Sequence, residues 1–324
     1  KIRYPRHANS LYAILDTLED VSVPNVVKEF TNLKKTIVGN TLAEYLLDSS
    51  KSEEEVNTLI DKYQTVNEAG EELDNSTLTC VGLDDILEVV SPENIINISP
   101  SSLSQRLDGG LIPGNQVCIF APTETGKTLL AIHMACGLLR EGRRVLYCGN
   151  EDPVRQLLIR FHNNLSGMTK AELIDNPTLG HQMAVEAGYT NLVMLDMAPG
   201  SLSEIRQSVE KHKPDVVFID QMANMHSSIE GKTEKNEYLS VQLRGMAKKY
   251  NLVTVILHQA SDNAFGKLCL EKNDMYYSNV GMPGQMDVLL GFGMNAEFEM
   301  TDQRMITICK NKISGNHESF AVKI

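Results

Sequence analysis

Short apolar runs alternate with amphipathic segments along most of the chain. From residue 116 onward, runs such as 145–149 and 216–219 are almost entirely apolar, which is typical of strands buried on both faces. Segments with apolar residues at helical spacing separate these runs, so we expect a mostly parallel sheet covered by helices on both faces. The predicted strands are 116–121, 145–149, 192–195, 216–219 and 253–257; the predicted helices are 129–139, 153–163, 202–211 and 237–250, with two shorter helices in 169–188.

The pattern changes near the C-terminus. Three apolar runs, 288–292, 305–309 and 320–324, follow one another with short links and little helical sequence between the last two. Short links join antiparallel strands, whereas parallel strands need a long crossover. The sequence therefore predicts an antiparallel extension of the sheet.

The first 75 residues have a different character. Apolar residues fall at helical spacing in three places, and the turn at 52–55 is acidic, as expected at the start of a helix. This pattern predicts a small helical accessory or assembly domain. The apolar residues concerned are Leu11, Ile14, Leu15 and Leu18, then Leu42, Tyr45 and Leu46, and then Val56, Leu59, Ile60 and Tyr63.

A polar stretch at 67–79 reads as a linker, and 82–90 forms one short helix with an apolar face. That face could pack on its own domain or dock on a neighbouring subunit, and the sequence leaves both open. The predicted organisation is a helical domain at 1–75, a linker with a short docking helix at 76–99, and an α/β domain at 100–324.

Composition narrows the class of protein. The chain has 324 residues, an ordinary apolar fraction of 42% and a formal charge of −12, which argues against a non-specific polyanion binder. Its six cysteines lack metal-site spacing and lie partly in apolar runs, as expected in a reducing cytoplasm. We find no signal peptide and no apolar stretch long enough to cross a membrane. The first residue is Lys1 rather than Met, which is compatible with a longer parent chain.

The turn after the first predicted strand carries the sequence Ala-Pro-Thr-Glu-Thr-Gly-Lys-Thr. It matches the eight-residue phosphate-binding loop except that Ala121 stands in place of the first glycine. Such a turn opens a helix whose unpaired amides bind phosphate, while its lysine reaches the β- and γ-phosphates and its last hydroxyl binds Mg²⁺. The alternative is a turn of similar sequence that binds no nucleotide. The expected ATP ligands are Pro122, Thr123, Glu124, Thr125, Gly126, Lys127 and Thr128.

Polar residues follow three of the predicted strands. Asp220 ends the run 216–219, and the carboxyl ends of parallel strands face the ligand crevice, so we expect Asp220 to hold Mg²⁺ together with Thr128. Glu151 follows the strand 145–149 and could orient and deprotonate the attacking water. A helix cap is the alternative for this segment; we expect Asp152 to cap the helix while Glu151 reaches the site.

Gln259 completes this set. It lies just beyond the strand 253–257 and would reach the γ-phosphate, whereas the neighbouring His258 is more often structural in such a position.

These motifs resemble those of the RecA-fold ring helicases, namely the DnaB-type replicative helicases of bacteria and phages and the plasmid RepA-type hexamers. The similarity extends over about residues 100–324 and includes the small-residue segment that begins at 278. The resemblance implies a RecA-like core, a catalytic glutamate at Glu151 and a γ-phosphate sensor at Gln259.

The resemblance also assigns residues outside the phosphate loop. Lys310 and Lys312 are similar to a Lys-x-Arg pair that reaches the ATP site of the neighbouring subunit, with lysine at 312 where arginine is usual. Lysine supplies a point charge rather than a bidentate fork. The loop 261–273 would face the central channel, where Lys267 and Lys272 from six copies could follow a phosphate backbone; an ordinary solvated loop is the alternative.

The resulting hypothesis is an ATP-dependent helicase or translocase that forms a homo-hexameric ring around single-stranded DNA in replication. It would use ATP and Mg²⁺, with a primase or a helicase loader as an expected partner, in the cytoplasm of a bacterium or a phage-infected host. The rivals are a RecA/RadA-type recombinase filament and a nucleotide-dependent switch or loader that assembles on DNA without unwinding it.

Overall fold

The computed structural model describes residues 23–48, 51, 52, 55, 56, 58–60, 62, 63, 82, 83, 87 and 91–323, apart from 198, 228 and 277–280. Contacts between Cα atoms divide the chain into two units, Lys1–Val81 and Gly82–Ile324. The proposed limits of the three functional segments, at residues 75 and 99, stay predictions.

In the described part of the first unit, the long helix is α1 (Val23–Leu47). The predicted helix around Leu42 is therefore present, but it is the end of a 25-residue helix rather than a short one. The only proline of this helix, Pro24, lies in its first turn, where proline is tolerated, and one interior glycine costs only about 1 kcal/mol. Downstream, the Ser52 and Glu55 side chains each accept a hydrogen bond from the other residue's backbone N–H, which agrees with the predicted helix start. The predicted helix at 11–18, the linker and most of the helix at 82–90 lie outside the described residues.

The second unit is built on an eight-stranded sheet with the order β3-β2-β4-β5-β1-β6-β7-β8. All pairings among β1 to β6 are parallel, and β7 and β8 pair antiparallel, which confirms the predicted sheet and its extension. The strands are Gln116–Ala121 (β1), Val145–Gly149 (β2), Leu192–Asp196 (β3), Val216–Asp220 (β4), Val253–Gln259 (β5), Val288–Gly293 (β6), Gln303–Asn311 (β7) and Ser319–Lys323 (β8).

Helices cover both faces of this sheet. They are Ser101–Arg106 (α2), Lys127–Arg140 (α3), Val154–Ser166 (α4), Lys170–Asp175 (α5), Pro177–Glu186 (α6), Leu202–His212 (α7), Lys232–Lys249 (α8), Gly281–Gln285 (α9) and Ala296–Met300 (α10). The helix α8 begins five residues before the predicted start, because its first turn is polar and carries no apolar periodicity. No helix in the described part of the chain is long and apolar enough to cross a membrane.

The core lies in two layers, one on each face of the sheet. Alternate residues of β1 belong to different layers: Val117 and Ile119 pack with α3 and α4, and Cys118 and Phe120 pack with α7 and α8. Every residue of β1 is buried, which is the reason for its continuous apolar sequence. Helices packed on both faces hold the sheet in place, and the loops at the carboxyl ends of its strands are available to form a site.

Candidate functional site

The phosphate loop connects β1 to α3. Glu124 and Gly126 both have left-handed backbone conformations, with φ angles of 62° and 99°, and Gly126 is the N-cap of α3 without a side-chain cap. The first amides of the helix therefore have no intrahelical partner. Ala121, in place of the usual glycine, ends β1 and is not among the residues with positive φ, so its side chain causes no backbone strain. The Glu124 side chain is exposed.

Lys127 and Asp220 are buried side by side at the base of this loop. Lys127 is 8% exposed and Asp220 is 2% exposed. Burial lowers the pKa of Lys127, while the nearby carboxylates of Asp220 and Glu151 oppose this shift. Burial also raises the pKa of Asp220, against the opposing effect of Lys127. Each charge thus favours the charged form of the other.

The two carboxylate oxygens of Asp220 differ in their hydrogen bonds. Oδ2 accepts hydrogen bonds from the hydroxyls of Thr128 and Tyr147, each at 2.9 Å. Oδ1 is buried and has no hydrogen-bond partner within the described chain. A buried, unpaired carboxylate oxygen is costly by itself. Together with the Thr128 hydroxyl it offers the oxygen ligands that Mg²⁺ prefers, so these residues fit the predicted ion.

Glu151 follows β2 and is held by a residue that the sequence analysis did not identify. The Gln221 side-chain amide donates to Glu151 Oε2 at 2.5 Å, and the Gln221 backbone N–H donates to Asn150 Oδ1 at 2.6 Å. The Asn150 N–H in turn donates to the Asp220 carbonyl at 2.8 Å. The ends of β2 and β4 are thereby joined, and the exposed Glu151 carboxylate keeps a fixed position.

The predicted role of Asp152 as a helix cap is wrong. Pro153 occupies the N-cap of α4, and no side-chain hydrogen bond caps this end. The Asp152 carboxylate instead accepts a hydrogen bond from Arg160 at 2.6 Å. Arg160 lies about two helical turns further along, so the Asp152 carboxylate forms an ion pair with this guanidinium instead of a capping bond.

The phosphate loop, Glu151 and Gln259 line one crevice of about 490 Å³. Gln259 is the last residue of β5 and pairs in register with Ala121, the last residue of β1. Its neighbour His258 faces the core: Nε2 lies 2.8 Å from the carbonyl of Tyr276, and burial lowers the pKa of His258 to about 4. His258 is therefore neutral near pH 7 and belongs to the core rather than the crevice. A larger groove of about 770 Å³ between α3 and α4 adjoins this crevice at Leu129 and Arg160.

Lys310 and Lys312 lie at the edge of the sheet formed by the amino ends of the parallel strands, opposite the carboxyl-end edge that carries the phosphate loop. Asn311, between them, pairs with Val288 at the beginning of β6, whereas the phosphate loop follows the end of β1. Lys310 Nζ donates to the Pro283 carbonyl at 2.5 Å, and Lys312, one residue beyond β7, lies 3.7 Å from a carboxylate oxygen of Asp287. The fold therefore separates these lysines from the crevice of their own chain.

Asp287 is the centre of a small charged cluster at that edge. It is 5% exposed and binds the guanidinium of Arg244 at 2.9 Å and the backbone N–H of Gln116 at 3.0 Å. The positive charge of Lys312 and the proximity of Lys310 give the cluster an excess of cations. Lys312 lowers the pKa of Lys310, in addition to the larger effect of burial, and Asp287 opposes both.

The two predicted DNA-binding lysines follow β5. Lys267 Nζ contacts Asp274 Oδ1 at 2.6 Å, and Lys272 begins a short 3₁₀ turn, Lys272–Asp274. The charge of Lys267 is thus neutralised within its own loop. Part of the small-residue segment, residues 278–280, lies outside the described residues.

Comparison with known proteins identifies the fold. A family model described as an AAA domain matches residues 85–264, more than half of the chain. A solved DnaB-like replicative helicase, described with its interactions with primase, superposes with a TM-score of 0.66 at 16% identity, covering 93% of this chain and 75% of that one. A solved ATPase domain gives a TM-score of 0.63 at 18% identity and covers 75% of this chain and 95% of that one.

Curated relatives are similar over the same region. A "Probable plasmid replicative DNA helicase" of Chlamydia trachomatis is 31% identical over 177 residues, which are 50% of this chain and 39% of the relative. The "DNA repair protein RadA" of Campylobacter jejuni is 24% identical over 224 residues, 67% of this chain and 42% of that protein. The chain thus spans about two fifths of the length of these relatives.

Proposed function

This chain belongs to the AAA domain family, and we propose that it is an ATP-dependent DNA helicase or translocase that acts as a ring on single-stranded DNA in replication. One observation carries the proposal: the predicted catalytic residues are divided between two edges of one sheet. The phosphate loop and Glu151 lie at one edge, and Lys310 lies at the other. A site that needs both edges is complete only where two copies meet.

The residues of the crevice suit hydrolysis of a nucleoside triphosphate. The amides that open α3 and the Lys127 ammonium would bind the phosphates. Thr128 and Asp220 would hold Mg²⁺, which neutralises phosphate charge when bound. Glu151 would accept a proton from water while the water oxygen bonds to the γ-phosphorus and the bond to the bridging oxygen breaks. The Gln221 amide, which donates to Oε2 of Glu151, would hold the carboxylate in place for this water.

Lys310 and Lys312 would complete the site of the next subunit. In the single chain their charges are compensated by the Pro283 carbonyl and by the Asp287 carboxylate. Both side chains keep solvent access, with 48% of the Lys312 side chain exposed. A triphosphate at a subunit boundary would be a stronger partner for Lys310 than the neutral Pro283 carbonyl, because it brings a negative charge to the ammonium.

Single-stranded DNA is the proposed polymer, on the strength of the plasmid helicase relatives and the DnaB-like fold. Lys272 is the better candidate contact, since Lys267 is already paired with Asp274. A primase or a helicase loader is a proposed partner, because the DnaB-like structure is described with primase. The bacterial origin of the relatives supports action in the cytoplasm of a bacterium or an infected host.

A RadA-type activity is the second candidate, because the RadA similarity extends over 67% of this chain. Electron microscopy with a non-hydrolysable ATP analogue and single-stranded DNA separates the two. Closed six-membered rings, together with ATP-dependent separation of a forked duplex, would support the helicase. Open filaments that exchange strands would support the recombinase, and assembly without unwinding or exchange would indicate a loader.

A further inference from the structure

A buried arginine contacts the phosphate loop from a distant part of the chain. Arg304, the second residue of β7, is 8% exposed. Its Nε donates to the backbone carbonyl of Thr125 at 2.8 Å, and its Nη1 donates to the carbonyl of Gln303 at 2.7 Å. Among the described residues no carboxylate lies within 4.0 Å of this guanidinium. A buried charge normally requires such a partner.

The contacted carbonyl lies at the most constrained point of the loop. Thr125 is 2% exposed and stands between Glu124 and Gly126, the two residues with left-handed φ angles. The carbonyl of one residue and the N–H of the next belong to the same rigid, planar peptide group. The bond between Thr125 and Gly126 is trans, so this N–H points away from the Thr125 oxygen. Arg304, by fixing that oxygen, also directs the Gly126 N–H away from itself.

We propose that Arg304 is a positioning residue of the phosphate loop, which orients the Gly126 amide for a phosphate and whose charge a bound phosphate compensates. The proposal rests on the proposed binding of a nucleoside triphosphate. Two observations support it: the hydrogen bond from Arg304 to the loop, and the lack of a carboxylate partner within the described chain. Successive amides in such a loop act as an anion-binding concavity, and their orientation determines its strength.

The strand β7 links Arg304, which contacts the phosphate loop, to Lys310. Arg304 stands near the edge where the phosphate loop lies, and Lys310 stands six residues later at the opposite edge. At the usual rise per residue the two are about 20 Å apart. Because β7 pairs with β6 on one side and β8 on the other, it is a stiff connection. Arg304 would therefore tie the phosphate loop of one chain to the strand that reaches the next site.

The test uses Arg304→Met, which keeps the length of the side chain but removes its charge and donors, and Arg304→Lys, which keeps the charge. The dissociation constant of a fluorescent ATP analogue with Mg²⁺ is measured by titration. Hydrogen exchange of residues 122–128 is measured without nucleotide. For Arg304→Met we expect affinity to fall about tenfold, as for loss of one charge-assisted bond, and exchange in the loop to become faster. Arg304→Lys should recover part of both.

Arg140→Met is the matched control. Arg140 ends α3, the helix that the phosphate loop opens, and its guanidinium also donates to a backbone carbonyl, that of Asn164. This control should leave affinity and loop exchange unchanged. The proposal is overturned if Arg304→Met binds the analogue like the unaltered protein. It is also overturned if exchange rises equally in all strands, because that pattern indicates general destabilisation.

Lys127→Ala separates this proposal from the proposed function. If Lys127→Ala binds the analogue normally, the nucleotide site itself is misassigned. The exchange measurement on Arg304→Met still reports on the loop in that case, because it needs no nucleotide. Normal loop exchange in Arg304→Met, with Lys127→Ala defective in binding, would overturn the role of Arg304 alone.

Discussion

The division of the site between two edges of the sheet can be tested by mixing two inactive proteins. One carries Lys310→Ala and Lys312→Ala, and the other carries Glu151→Gln. Each should be nearly inactive alone, because every boundary in its ring lacks one side of the site. In mixed rings, some boundaries join an intact Glu151 to intact lysines, so ATP hydrolysis should reappear.

The expected recovery follows from the geometry. A head-to-tail ring presents one edge of each subunit to the opposite edge of the next, so at equal mixing about one quarter of the boundaries are intact. Activity should therefore rise to about a quarter of the normal value and fall on either side of the equal ratio. The lysine substitutions should leave folding largely unaffected. Lys312 is half-exposed and 3.7 Å from Asp287, a pair worth at most about 1 kcal/mol, and Asp287 retains Arg244.

The assay is steady-state ATP hydrolysis at a series of mixing ratios, after subunit exchange has been demonstrated with two fluorescent labels. A protein with Lys248→Ala and Lys249→Ala, which removes two lysines near the end of α8, controls for loss of charge and should be active alone. Full activity of the Lys310/Lys312 variant by itself would refute the reasoning. So would the absence of recovery in rings that have exchanged their subunits.

Three further predictions concern single residues. Lys127→Ala should abolish ATP turnover, because it removes the charge that neutralises the β- and γ-phosphates; near-normal steady-state turnover would contradict the loop assignment. Glu151→Gln should keep nucleotide affinity and slow hydrolysis by about 100-fold or more, and a variant that instead lost affinity at a normal saturated rate would make Glu151 a binding residue. His258 has a pKa of about 4 in the folded chain, below its unfolded value, so its contribution to stability is present above the unfolded pKa and is lost as pH falls through the folded one. Denaturation at pH 7 and pH 5 should show less loss of stability for His258→Asn than for the unaltered protein, and equal losses would contradict the buried, neutral histidine.

Most of the fold could be predicted because it depends on local sequence pattern. The buried parallel strands are continuous apolar runs, and β2 was predicted with the bounds that the structure gives it. The less accurate bounds lie where polar residues carry no periodicity, as in the first turn of α8, or where a helix continues through a glycine, as in α1. At these positions the local sequence pattern does not indicate where the helix begins or ends, and tertiary packing determines the boundary.

The site could be predicted only in part, for the same reason. Residues at the ends of strands, such as Asp220 and Gln259, follow from strand polarity alone. Gln221 and Arg304 do not, because their roles depend on partners 70 and 179 residues away in the sequence. Arg304 even precedes the apolar run that predicted its strand. Its only signal in the sequence is a basic residue at the start of an otherwise apolar segment.

The antiparallel direction of β7 determines where Lys310 and Lys312 lie relative to the phosphate loop. Because β7 is antiparallel to β6, its first residues lie beside the end of β6, near the phosphate loop, and its last residues lie beside the beginning of β6. A parallel strand in this place would have brought Lys310 to the crevice of its own chain. The antiparallel extension instead places the two lysines away from the crevice of their own chain, while Arg304 contacts the phosphate loop of its own chain. In the proposed ring, β7 would therefore serve two sites, and a change that shifts β7 along its axis should disturb both the phosphate loop and the boundary with the next subunit.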